Sequence, residues 1–278
     1  MTPIRKCLFP AAGYGTRFLP ATKAIPKEML PVVNKPLIQY GVEEAARAGI
    51  ADMAFVTGRG ERALKDHFAV SHELERRIAG SERESLLEDL CRLVRECHFS
   101  YTRQLEARGL GHAILTGETL IGDQAFAVLL ADDFCVTEDA GVLAQLAAIY
   151  DEYQCSVVAI EEVPKAETSN YGIIAGEELG PGLYRVSEMV EKPEPGEAPG
   201  NLAVIGRYIL TPDIFDILRS TPPGRNNEIQ ITDALQTQAQ NGKVLAWRFR
   251  GRRFDCGSVP GFMAANEFAW RRQSQSTA

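Results

Sequence analysis

Residues 9–31 read FPAAGYGTRFLPATKAIPKEMLP, a stretch that suits neither a helix nor a strand. Two glycines and four prolines interrupt it, and Arg17, Lys23 and Lys27 face a single carboxylate, Glu28. Upstream, Ile4 to Pro10 is a short apolar run of strand character, so the loop begins at Ala11. Glycines let backbone N–H groups come close to an anion, and prolines lower the entropy a loop loses when it orders. Open α/β sheets bind ligands at the carboxyl ends of their strands, which is where this loop stands. GYGT at 13–16, with Arg17, Lys23 and Lys27 following, therefore reads as a cradle for a triphosphate.

Outward from the loop, strands and helices alternate. LIQYGVEEAARAG (37–49) has helical spacing, opens after Pro36 and stops at Gly49. ADMAFVTG is a second strand, and Glu61 to about Gly80 and residues 82–96 are helical. HFSYTRQ, AFAVLLADD and CSVVAI are further strands, separated by the helices GLGHAILTGETLIG and AGVLAQLAAIYDEY. This alternation predicts an α/β fold with crossover connections and a mostly parallel sheet. Beyond residue 161, NYGIIAG, GLYRVSEMVEKP and NLAVIGRYIL are strands joined by Gly- and Pro-rich turns, which predicts a smaller, partly antiparallel region covering a cleft. Helices near 211–219 and 229–241, the strand KVLAWRF and a helix from Val259 complete the chain.

With 278 residues, 45% apolar and 24% charged, the chain has the balance of a globular protein with a sizeable core. No window approaches the ~18 apolar residues of a membrane span, and the first residues lack the pattern of a secretory signal. The six cysteines, at 7, 91, 97, 135, 155 and 256, show no zinc spacing and read as buried reduced thiols of a cytoplasmic protein. The net charge of −7 excludes a broad basic surface for nucleic acid. Residues 1–35 nevertheless carry six cations against Glu28, a local balance of +5 that suits a small anion.

GYGT is neither a P-loop, since no Gly-Lys-Ser/Thr follows, nor a dinucleotide fingerprint, since Phe18 stands where a third glycine belongs. GRGERA at 58–63 does match Gly-x-Gly-x-x-Ala between a strand and a helix, and makes a nicotinamide or flavin enzyme the runner-up. Asp132 and Asp133 close a buried strand, where carboxylates reach a ligand cleft and can hold Mg²⁺; for Asp133 a turn cap is the plainer reading. Asp255 in RFDCGS follows another strand-like run and offers a second ligand. His67, His72, His98 and His112 stand in no relation to a nucleophile and read as structural, which leaves chemistry by positioning and charge.

Taken in order, the loop above together with FVTGRGE, RQLEARGLGHAI, LLADDF, NYGII, EKP, NNEIQITDAL and RFDCGS resembles the sugar-phosphate nucleotidylyltransferase family, in its bacterial UTP-using branch, over almost the whole chain. Tyr14, Asn34 and the LADDF sequence are local departures. The resemblance implies a Rossmann-like, mostly parallel mixed sheet flanked by helices, with a smaller antiparallel sugar-binding region. It implies one domain over 1–278: a nucleotide-binding part to about 160, a sugar-binding and metal-completing part over about 161–258, and a C-terminal helix over about 259–274. It further implies transfer of a uridylyl group from UTP to glucose 1-phosphate with Mg²⁺. Ala11, Ala12, Gly13, Gly15 and Thr16, with Gln104 and Gly109, would bind the nucleotide. Arg17 and Lys27 would stabilise charge at the α-phosphorus, and Asp132 and Asp255 would hold Mg²⁺. Glu191 and Lys192 would bind sugar and phosphate, with Gly172 against the sugar. The family's habit implies a homo-oligomer, dimer or tetramer. The same chemistry on dTTP or CTP, and a non-catalytic nucleotide-sugar sensor, are the alternatives.

Overall fold

The first strand, β1 (Lys6–Ala11), divides its side chains between two cores: Cys7 and Phe9 face one and Leu8 the other. Alternation of this kind marks a strand with helices on both faces. In this computed structural model, which describes residues 3–276 apart from 59, 60 and 195, the chain continues into a loop of one-turn 3-10 segments. There follow the hairpin β2 (Pro31–Val32) and β3 (Lys35–Pro36), α1 (Leu37–Arg47), β4 (Asp52–Thr57), α2 (Glu61–His67), α3 (His72–Ile78), α4 (Glu88–Glu96) and β5 (His98–Arg103). Next come α5 (Leu110–Thr116), α6 (Glu118–Ile121), β6 (Phe126–Leu129), β7 (Asp133–Val136), α7 (Val142–Tyr153), β8 (Ser156–Glu162), β9 (Gly172–Gly180) and β10 (Leu183–Glu191). The remainder is β11 (Leu202–Leu210), α8 (Ile214–Ser220), α9 (Ile231–Gln240), β12 (Val244–Arg248), β13 (Arg252–Asp255) and α10 (Val259–Ser276).

Nine strands form one sheet in the order β5-β4-β1-β6-β11-β8-β12-β10-β9. β5, β4, β1 and β6 are parallel, as are β8 and β12, while β10 and β11 run against them. The sheet is thus mixed and mostly parallel, as expected. On one face lie α1, α4 and α7, with Ile38, Val42, Leu93 and Leu146 buried; on the other lie α5, α8 and α9, with Ile114, Phe215 and Leu235. β1 has β4 on one side and β6 on the other, so the chain leaves it in one direction and later returns on the opposite flank. That reversal opens a crevice at the carboxyl end of β1, directly under the loop.

Three expected elements differ. The helix expected from Glu61 to Gly80 is two, α2 and α3, because Phe68 turns inward to stack on Phe99 and Phe55. The helix of GLGHAILTGETLIG breaks at Gly117, where even a Cβ would stand 2.5 Å from Leu8. AFAVLLADD does not run as a single strand into its aspartates: β6 ends at Leu129, a turn follows, and Asp133 begins β7. β7 pairs antiparallel with β13, setting Asp133 opposite Asp255, and α10 packs over this strand pair through Phe254, Phe268 and Ala265. Residues 59 and 60 of GRGERA lie outside the described residues.

Candidate functional site

The basic loop is held by its own bonds. Phe18 N–H donates to Gly15 O, Lys23 N–H to Pro20 O, Met29 N–H to Pro26 O and Leu30 N–H to Lys27 O, and Thr22 Oγ1 donates to Gly15 O at 2.7 Å. Its successive tight turns aim Lys27 inward, where the ammonium pairs with the Asp132 carboxylate. Burial alone would depress the Lys27 pKa, but Asp132, Glu28 and Asp133 outweigh it and hold it above the ordinary lysine value. For Asp132, burial pushes upward and Lys27 outweighs it, so the carboxylate stays ionised. Glu28 is different: it is buried, its Oε2 has no hydrogen-bond partner, and desolvation pushes its pKa up to about 7 against the pull of Lys27. Lys23 is exposed and lines a different hollow of the same loop, without Lys27.

Asp132 and Asp255 are brought together. A Cβ at Gly257 would lie 3.0 Å from Asp255 Oδ1, 3.1 Å from Asp132 Oδ2 and 3.6 Å from Arg17 Nη1, so the three groups surround one glycine. Arg17 Nη1 donates to Gly257 O at 3.2 Å, and Cys256 N–H donates to Asp132 O at 2.7 Å. Burial, then the neighbouring Asp133 carboxylate, raises the Asp255 pKa against the opposing charge of Arg253. Hard carboxylate oxygens with no thiolate or imidazole beside them suit Mg²⁺ rather than zinc. No group of three or more His, Cys, Asp or Glu converges among the described residues, so the remaining ligands of such an ion would be phosphate and water, which is the habit of Mg²⁺.

Asp133 braces the site. Its Oδ2 accepts the Gly206 N–H at 2.7 Å and its Oδ1 accepts from Arg253, which also pairs with Glu161. Below it Arg207, 3% exposed, forks onto Glu44 and donates to Leu130 O at 3.0 Å and Asp133 O at 2.9 Å. Arg207 therefore holds both ends of the turn that presents Asp132. An irregularity between Val204 and Tyr208 in β11 lets Gly206 and Arg207 reach these partners.

A cavity of about 410 Å³ opens beside the loop, lined by Ala12, Gly13, Gly15 and Thr16 with Lys27, Asp132, Gln104 and Gly109. Ala11, the last residue of β1, is buried and paired with Thr57, and does not line it. At the far end Gln104 Nε2 donates to Gly109 O at 3.3 Å and lies 2.7 Å from His112 Nδ1. Burial, then the Arg108 charge, lowers the His112 pKa and favours the neutral ring, with Glu106 opposing. Gly109 has φ +93° and its Cβ position would sit 2.9 Å from Ile229 O, so only glycine fits. Ile229 N–H donates to Arg108 O and Gly111 N–H to Ile229 O, both at 2.8 Å, binding this loop to the segment before α9. A larger cavity, about 940 Å³, lies along α10 and contains none of these residues.

The third group lies across the cleft. Glu191 ends β10 opposite Gly172 of β9, and its Oε2 accepts from Thr232 Oγ1 at 2.6 Å. Lys192 Nζ lies 3.1 Å from Glu191 Oε1. The buried Tyr208 hydroxyl, its pKa raised first by burial and then by Asp133, Glu191 and Asp132, stands among the carboxylates of both groups. Thr232 and Glu228, both within NNEIQITDAL, received no individual role from sequence reasoning; nor did Glu44 and Arg207, and His112 read as structural. Glu44 looked like one more acid of an amphipathic helix, and nothing in its spacing signals a buried partner 163 residues away.

A sequence profile of the nucleotidyl transferase family matches residues 8–272. The UTP–glucose-1-phosphate uridylyltransferase of Pseudomonas aeruginosa is 62% identical over 268 residues, 96% of each chain. Among solved structures, a UDP-glucose pyrophosphorylase complexed with UDP-glucose aligns with a TM-score of 0.91 at 57% identity, covering 97% of this chain and 99% of the other. A UTP-bound UGPase from Acinetobacter baumannii aligns with a TM-score of 0.87 at 36% identity, over 96% and 93%.

Proposed function

This chain belongs to the nucleotidyl transferase family, and from that premise we propose that it transfers the uridylyl group of UTP to α-D-glucose 1-phosphate, releasing UDP-glucose and pyrophosphate. The observation that carries the reading is the convergence of Lys27, Arg17, Asp132 and Asp255 near the mouth of a cavity whose far wall holds an amide. Relatives named for UTP and UDP-glucose support it.

Both substrates are anions, so attack of a sugar-phosphate oxygen on the α-phosphorus meets repulsion. Lys27 and Arg17 offset it at the triphosphate and Lys192 at the sugar phosphate, with charges already in place before reaction. Asp132 keeps the Lys27 ammonium at the cleft until phosphate oxygens take it over. Asp132 and Asp255 are the residues that would hold Mg²⁺, which when bound supplies positive charge to the phosphate oxygens. Gln104, Gly109 and the backbone around Ala12 and Gly13 bind the base, while Glu191 receives glucose hydroxyls and Gly172 leaves room for the ring. In-line placement provides the rest, and no protein nucleophile or covalent enzyme intermediate is required.

We read the nucleotide part as extending to about residue 160, the sugar part over about 161–258 and α10 as a separate flank. Val259, Met263 and Trp270 are exposed at helical spacing on α10, and we assign that face to a homo-oligomer, dimer or tetramer, checked by light scattering. Among the described residues no helix is long and apolar enough to cross a membrane, and with the net charge of −7 no nucleic-acid or membrane partner is proposed. The six free thiols accord with a cytoplasmic setting.

Pyrophosphate release with glucose 1-phosphate and Mg²⁺ tests the reading, with UTP, dTTP, CTP, ATP and GTP offered separately against EDTA controls. EDTA-sensitive release led by UTP is expected. A lead by dTTP or CTP would overturn the base assignment, and silence with every nucleotide from folded protein would favour a nucleotide-sugar sensor.

A further inference from the structure

Gln104 is gripped by one end of its amide. Nε2 faces two acceptors, the Gly109 carbonyl at 3.3 Å and His112 Nδ1 at 2.7 Å, and among the described residues no donor reaches Oε1. An amide nitrogen only donates, so the imidazole must present a bare Nδ1 and carry its proton on Nε2. Turning the amide over would set Oε1 against the Gly109 carbonyl oxygen, which can only accept, and no change of the His112 tautomer would relieve that repulsion. The oxygen end is therefore the end left for the cavity. The Gly109 carbonyl sets which end of the amide turns inward, and the shorter bond to His112 holds it there.

We infer that His112 is a positioning residue for base selection, fixing the Gln104 amide so that Oε1 faces the nucleotide and accepts the N3–H of uracil. The inference rests on the uridylyl reading above and concerns how that reading is enforced. Cytosine bears a lone pair at N3, so a fixed oxygen repels it. An amide free to rotate would offer N–H₂ to cytosine and oxygen to uracil, and would discriminate poorly. Selectivity of this kind, where a mismatched polar group is left unpaired, exceeds what shape alone provides.

The test is the ratio of kcat/KM for UTP to that for CTP in wild type, His112→Phe and His112→Asn. Phe keeps a ring but loses the acceptor; Asn places its Oδ1 near the former Nδ1 and keeps one. The expected result is a ratio reduced about tenfold in His112→Phe, the worth of one hydrogen bond of about 1.4 kcal/mol, and largely restored in His112→Asn. A loss in His112→Phe that falls equally on both nucleotides, leaving the ratio unchanged, would overturn the inference and make His112 a packing residue. Inactivity of the wild type with UTP would instead overturn the uridylyl reading. The ¹⁵N spectrum of the histidines in wild-type protein is a second check that needs no variant: a bare Nδ1 on His112 is expected, and a proton there overturns the inference.

Discussion

Asp132 and Asp133 are adjacent in the chain and chemically identical, yet they belong to two regions built on opposite principles. Asp132 pairs with Lys27 at the cleft, where each side chain keeps 24% of its surface exposed. Asp133 belongs to the brace beneath, whose central pair, Arg207 with Glu44, is 3% and 5% exposed. An open pair can trade its partner for a phosphate or a metal ion. A closed pair cannot be separated without leaving a buried charge unpaired, a loss of about 3–5 kcal/mol. The difference teaches that these two pairs divide by solvent access rather than by residue type: the pair proposed to work borders water, and the pair that positions it does not.

The largest effect should come from the working side. Asp132→Ala is expected to bring turnover below detection while the melting temperature stays near that of wild type; retained activity in Mg²⁺ would erase the contrast between the two aspartates. Next, Arg207→Met should lower unfolding free energy in urea by about 3–5 kcal/mol, because Glu44 loses its fork and the carbonyls of residues 130 and 133 lose a donor.

Glu28 sits between the two classes, buried like the brace but beside Lys27. Its folded pKa, about 7, lies above that of an unfolded carboxylate, so the folded chain holds an extra proton in between. Stability contributed by that proton is present at low pH and is lost as pH rises from about 4.5 towards 7. Relative to Glu28→Gln, the wild type should therefore lose about 3 kcal/mol across this window in paired denaturation curves. A constant difference between the two curves would place Glu28 with the open charges.

Lys27→Ala should reduce kcat about 100-fold, about 2.7 kcal/mol, with a smaller change in KM for glucose 1-phosphate. An unchanged kcat would shift the burden to another cation, with the exposed Lys23 of the same loop the first candidate. The smallest effect belongs to a pair that does neither job: Arg62→Ala, which breaks the exposed bridge to Asp66, should alter stability by no more than about 0.5 kcal/mol.

Much of the proposed working side is legible in the sequence as a set of candidates. Glycines, prolines and lysines crowded after a first strand announce an anion loop because few other purposes need that mixture. The sheet was legible as a rhythm of elements, though the strand that intrudes antiparallel at its centre, β11, was not, since pairing order is a long-range property. Asp255 stood as a candidate without a demonstrable neighbour; only the pairing of β7 with β13 sets it opposite Asp133 and so brings it near Asp132 around Gly257. The brace was illegible for a physical reason. Arg207 lies in an apolar strand and Glu44 on a helix, and each looks like an ordinary surface charge until the fold removes water from both.

The short segment from Ile229 to Thr232 has a mechanical consequence. At one end its backbone exchanges hydrogen bonds with the loop carrying Gly109, and three residues later Thr232 grips Glu191. Such a span is at most about 10 Å when fully stretched. It works as a yoke: the wall we propose for the base and the carboxylate we propose for the sugar are harnessed to one rigid bar, so neither can be displaced without tugging the other.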